Sequence, residues 1–113
     1  MSMFLAIGYG DEAGYESTPI QVRRHAHAHD ERLRERGVRM SRAGEPIQVR
    51  NTELKELRQE PGAYLRSALP VAGFSLLEAD SLEEAAALLA ESPCAVAHGV
   101  VEVWPLEDWN QQD

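Results

Sequence analysis

The stretch Ala72-Gly-Phe-Ser-Leu-Leu-Glu-Ala-Asp-Ser-Leu-Glu-Glu-Ala-Ala-Ala-Leu-Leu-Ala-Glu-Ser-Pro93, running on to Gly99-Val-Val-Glu-Val-Trp-Pro105, reads as one strand–helix–strand unit. Ser81 stands three residues before Glu84, the spacing of a reciprocal capping box, and Pro93 is expected to stop the helix that begins there. Leu82, Ala85, Ala86 and Leu89 fall at i, i+3, i+4 and i+7, one apolar stripe, which leaves Glu83, Glu84 and Glu91 for the solvent side. A helix with one apolar stripe covers a flat surface. The flanking segments Phe74–Ala79 and Val100–Trp104 are short, rich in β-formers and bounded by Gly73, Gly99 and Pro105, so both are expected as strands beneath it.

The rest of the chain repeats this order. Met3–Ile7 reads as a buried strand, followed by the glycine-rich turn Gly8-Tyr-Gly-Asp-Glu-Ala-Gly14. Gly8 and Gly10 do not make a dinucleotide fingerprint: no third glycine follows at the required spacing, and no helix is expected to open there. No cofactor is expected. Thr18-Pro19-Ile-Gln21 supplies a helix cap, a proline at the first helical position and a glutamine three residues after the cap, and Gly37 is placed to end the helix after Arg36. At about 100° per residue, Val22, Ala26, His29 and Leu33 share one side, His25 sits at its edge and His27 points away. Val38–Met40 reads as a further strand, Ile47–Arg50 and Leu54–Arg58 as a hairpin about Asn51-Thr52, and Pro61-Gly62 as a turn.

Strand, helix, strands, helix, strand is the split βαβ order of an α+β ferredoxin-like sandwich, with two helices on one face of an antiparallel sheet. Its other face is left open. Apolar neighbours such as Phe4 and Leu5, Leu76 and Leu77, Val100 and Val101 supply both faces of these strands, so a sheet-to-sheet homodimer is expected, with Trp104 and Trp109 near the interface.

Composition sets the outer bounds. A chain of 113 residues is one domain, 1–113, in which 107–113 reads as a flexible tail. No apolar run reaches the roughly 20 residues of a membrane span, and the N-terminus lacks the basic flank of a signal peptide; the expected location is the cytoplasm, with no membrane partner. The formal charge of −8 argues against nucleic acid as a partner. Against that balance, Arg23 to Arg42 holds seven arginines with only Asp30, Glu31 and Glu35, a pattern typical of a solvated helix face, with an anionic ligand or an acidic partner as the alternative reading. Cys94 has no partner for a disulfide and reads as a small buried hydrophobe, not a nucleophile.

The run His25-Ala-His-Ala-His29 invites a metal reading. On a helix only His25 and His29, one turn apart, share an ion, and two ligands do not make a site, so no metal is expected. Among the aromatic residues Tyr9, Tyr15, Tyr64 and Phe74 are candidates to line a ligand pocket; Tyr9, Tyr64 and Phe74 are taken as ligand-binding.

Both ends of the chain resemble one family. Phe4-Leu-Ala-Ile-Gly-Tyr-Gly-Asp-Glu-Ala13, the segment from Ala72 to Ala86, and Gly99-Val-Val-Glu-Val-Trp-Pro-Leu106 are similar to the opening and closing segments of the YCII-related proteins, including the branch named for its Asp-Gly-Pro-Phe motif. The resemblance implies a dimeric α/β barrel with a pocket between sheet and helices in each protomer. It also implies a histidine of the first helix near the motif aspartate. Here the motif segment reads Gln59-Glu-Pro-Gly-Ala63: Glu60 falls at the aspartate, Pro61 and Gly62 are interchanged, and Ala63 replaces the aromatic residue. The helix histidine of the family falls nearest Ala26, between His25 and His27.

A histidine beside a carboxylate suits proton transfer, because imidazole titrates near neutrality and the carboxylate orients it. The expected pair is Glu60 with His29 or His25. The resulting expectation is a protein that binds a small organic molecule and, if an enzyme, acts as an isomerase or lyase. The alternative is a non-catalytic module for ligand sensing or protein interaction, linked to transcriptional regulation through the family.

Overall fold

The computed structural model describes residues 1–109 of the chain. Residues 110–113, the end of the expected tail, lie outside the described residues. The elements are strand β1 (Ser2–Tyr9), helices α1 (Glu12–Ser17) and α2 (Ile20–Glu35), strands β2 (Arg39–Arg42), β3 (Ile47–Asn51), β4 (Leu57–Pro61) and β5 (Val71–Ala79), helices α3 (Leu82–Leu89) and α4 (Pro93–Val96), and strand β6 (Val100–Pro105). Four strands form an antiparallel sheet in the order β2-β5-β1-β6, while β3 and β4 form a separate two-stranded hairpin. The architecture is α+β.

Register places one row of side chains towards the helices. Phe4 pairs with Leu77, Ser2 with Ala79 and Ala6 with Val103. Phe4, Ala6, Leu77 and Ala79 meet Leu33 of α2 and Ala85 and Leu89 of α3 in one buried core. Alternation along the strands turns Leu5, Ile7, Phe74, Leu76 and Trp104 to the opposite face, where Phe74 is 43% and Trp104 52% exposed. Among the described residues no helix is long and apolar enough to cross a membrane.

Local chemistry explains most boundaries and several differences from expectation. Ser81 Oγ accepts from the Glu84 amide as expected, but the Glu84 carboxylate reaches one residue further back, to the Asp80 amide at 3.1 Å. Helix α3 ends at Leu89, so Pro93 does not stop it; Pro93 opens α4, where its missing N–H is harmless. Leu88, not Ala86, turns towards the core beside Ala85 and Leu89, and Leu82 is 42% exposed. A helix does open after Gly10: Asp11 Oδ1 accepts from the Gly14 amide at 2.8 Å and caps α1. Thr18 consequently turns its hydroxyl back to Gly14 O, and Pro19 takes the cap position of α2. Gly37, at φ +99°, ends α2 as expected.

The hairpin is longer than its sequence suggested. Glu53 and Leu54 adopt φ values of 55° and 62° within a single tight turn at Thr52–Leu54, and the return strand starts at Leu57. Ile47, Val49 and Leu57 are each about 60% exposed and lie on one face of the ribbon. The molecule measures 53 × 36 × 20 Å with a radius of gyration of 16.2 Å, against about 13 Å for a compact chain of this length.

Candidate functional site

An open cavity of about 720 Å³ lies on the helix-facing side of the sheet. Its floor includes Ala6, Gly8, Gly73 and Val101, its wall is the α2 face carrying His27, Asp30 and Arg34, and Tyr15 of α1 and Cys94 of α4 also border it. These three α2 positions stand at i, i+3 and i+7, so one helical face delivers them together.

The wall is organised by contacts from outside α2. Tyr15 Oη and His27 Nε2 share a hydrogen bond of 2.7 Å, with the rings edge to face at 5.8 Å between centroids. The Arg23 guanidinium lies 5.0 Å from the Tyr15 ring centroid. Asp30 is half-buried, and burial raises its carboxyl above the ordinary carboxylate range despite the opposing charges of Arg34, His27 and His29. Burial likewise raises the Cys94 thiol, and the Asp30 charge adds to the effect, so Cys94 is held as a thiol.

The expected residues fall elsewhere. His25 Nε2 meets Glu91 Oε1 at 2.5 Å on the surface, and His29 Nε2 meets the Leu88 carbonyl at 2.6 Å. These two histidines fasten α2 to the end of α3. Glu60 lies in the hairpin, where its carboxylate accepts from Arg50 at 3.3 Å. The structure therefore gives Glu60 and the two histidines separate partners and does not hydrogen-bond them to one another. His27, expected to point away, is the histidine that lines the cavity. Ala26, His29 and Leu33 of the expected stripe do face inward, and only Val22 of it is exposed; the cavity lies beside that stripe, on the flank carrying His27, Asp30 and Arg34.

Of the three aromatic residues taken as ligand-binding, Phe74 is among those bordering the cavity, but strand alternation turns its ring to the opposite face of the sheet. Tyr9 is buried and donates its hydroxyl to Glu102 Oε1 at 3.0 Å, an oxygen that also accepts from Trp104 Nε1 at 2.8 Å. Tyr64 is 77% exposed beside the hairpin, under the Arg50 guanidinium. Among the described residues no cluster of three or more His, Cys, Asp or Glu side chains has the arrangement of a metal site.

Sequence reasoning missed His27 with Asp30 and Arg34. The signal was a second periodicity, 27-30-34, beside 22-26-29-33; both are helical, and the docking of α1 and α4 decides which flank borders the cavity. The arrangement found combines an apolar floor, an imidazole held by a phenol, and a carboxyl of raised proton affinity. The chain matches no known family model and no curated protein.

Proposed function

We propose that this chain is a YCII-related, ferredoxin-like protein that binds a small, partly apolar organic molecule in the cavity under α2 and moves a proton on it. Asp30 and His27 serve as the acid–base groups, in place of the Glu60 pair expected from the sequence. The observation that carries the reading is the half-buried Asp30, raised in proton affinity, on the same cavity face as a histidine tethered by Tyr15. A carboxyl shifted towards neutrality exchanges protons more effectively at physiological pH than an ordinary one. The reaction classes that need only this equipment are isomerisation and elimination.

The strand order β2-β5-β1-β6, with helices on one face, supports the ferredoxin-like assignment. The half-exposed Phe74 and Trp104 on the other face support a sheet-to-sheet homodimer. Hydrogen–deuterium exchange of activated C–H groups in small lactones and aromatic compounds, followed by NMR in heavy water, tests the catalytic reading. Exchange catalysed by the wild type and reduced about 100-fold or more in Asp30→Asn supports it, in line with the usual contribution of a general acid or base. Exchange untouched by that substitution overturns it. The projecting hairpin with exposed Ile47, Val49 and Leu57 favours the second reading, a module that senses its ligand and contacts a protein partner.

A further inference from the structure

One row across the main sheet reads Arg42, Gly73, Gly8, Val101, on β2, β5, β1 and β6 in turn. All four residues line the cavity. Gly73 cannot carry a side chain, because a Cβ there would stand 2.6 Å from Ser41 O; at Gly8 the corresponding space is filled by Cys94 Sγ, 2.9 Å from where a Cβ would be. The row is therefore a bare strip of backbone, capped over Gly8 by a neutral thiol and ending at the sheet edge in a guanidinium.

The charges around the cavity are otherwise engaged or distant. Arg34 donates to Glu31 at 2.6 Å, and Asp11 accepts from Gly14. Asp11 and Glu12 follow β1, two strands from Arg42, which is about 10 Å at the usual strand spacing. Asp30 stands on the α2 wall, not on the sheet row that ends in Arg42. Among the described residues Arg42 has no carboxylate within salt-bridge distance. An arginine fork with no internal partner, at the end of a flat apolar strip, matches a planar carboxylate in the ligand.

We infer that the ligand is a small organic acid with a flat, apolar body, whose carboxylate is bound by Arg42 while its body lies along Gly73 under Asp30 and His27. This rests on the cavity being the ligand site. Arg42 fixes specificity and orientation; it is a binding residue and transfers no proton.

Matched acids and amides test the inference on the full chain: benzoate with benzamide, phenylacetate with phenylacetamide, crotonate with crotonamide. Binding is read from the backbone amide resonances of Gly8 and Gly73 at neutral pH. At least one acid is expected to shift both resonances and bind about tenfold or more tightly than its amide, since a charge-assisted pair is replaced by a neutral one. Added salt should weaken the acid and not the amide. Arg42→Gln should erase the difference and Arg42→Lys retain part of it. Arg42 is exposed on an edge strand, and an unchanged amide spectrum of the unliganded variant verifies its fold. Equal binding of acid and amide, or a preference that survives Arg42→Gln, overturns the inference and leaves the cavity reading standing. If no member of any pair disturbs Gly8 or Gly73, the cavity reading fails and this inference with it.

Discussion

Tyr15 and His27 are joined through one 2.7 Å hydrogen bond, so the six-residue helix α1 sets the orientation of the only described α2 histidine that lines the cavity. Tyr15→Phe removes that bond and keeps the ring. The expected stability loss is small, about 0.5 kcal/mol, because the pair is exposed. The expected change is in His27 itself: its ring nitrogen shifts should move by NMR while those of His25 and His29 stay in place. A His27 spectrum indifferent to Tyr15→Phe would mean that the tether does not operate.

Asp30 gives stability an unusual dependence on pH. Its carboxyl is raised by burial, so the folded state holds the proton more tightly than the unfolded chain. Stability from this group is complete below the unfolded pKa and is lost as pH rises through the higher folded value. Asp30→Asn escapes the loss. The difference in melting temperature, variant minus wild type, should be near zero well below the carboxylate range and grow positive towards neutrality. A difference independent of pH would contradict this.

Glu91 acts in the opposite sense. The hydrogen bond from His25 lowers its carboxyl, and the nearby charges of His25, His29 and Arg32 add to the effect. Its contribution is present above the ordinary carboxylate pKa and disappears as pH falls through the lowered folded value. Glu91→Gln should therefore destabilise at neutral pH and become indistinguishable from wild type in strong acid. Both side chains of the pair are more than half exposed, so raised ionic strength should shrink the difference. A deficit unaffected by salt or acid would point to packing instead.

Gly8 and Cys94 form a steric pair. A Cβ at Gly8 would press on the Cys94 sulfur at 2.9 Å, and Gly8→Ala should cost about 1–3 kcal/mol, the usual range for overpacking. Removing the sulfur in Cys94→Ala should recover much of this in the double variant, measured by urea unfolding. Gly99→Ala offers the contrast: its Cβ would meet the Tyr9 and Cys94 carbonyls, at 2.6 Å for the latter, and no side-chain change relieves a clash with backbone. Additive losses for Gly8→Ala and Cys94→Ala would refute the steric account.

Legibility in the sequence followed the range of the interaction. Ser81 with Glu84, Gly37 after α2 and the alternating faces of β1 and β5 are decided within a few residues, and all were readable. The cavity-lining flank of α2 was not. Which of His25, His27 and His29 faces the cavity depends on where α1 and α4 dock, and α1 is a helix whose only strong signal was the Asp11 cap. Glu60 illustrates a second limit. Its neighbour is decided by the ladder Gln48–Glu60 and Arg50–Arg58, and that register hangs on left-handed Glu53 and Leu54, residues with no sequence preference for such a turn.

The hairpin of β3 and β4 exchanges its ladder hydrogen bonds internally and forms a sheet of its own. None of its residues belongs to the buried core. Cooperative unfolding of the body should therefore be almost blind to it, with the hairpin opening at a lower free energy than the four-stranded sheet and its helices. Substitutions there are nearly invisible to stability measurements, which leaves that segment open to change under selection for contacts alone.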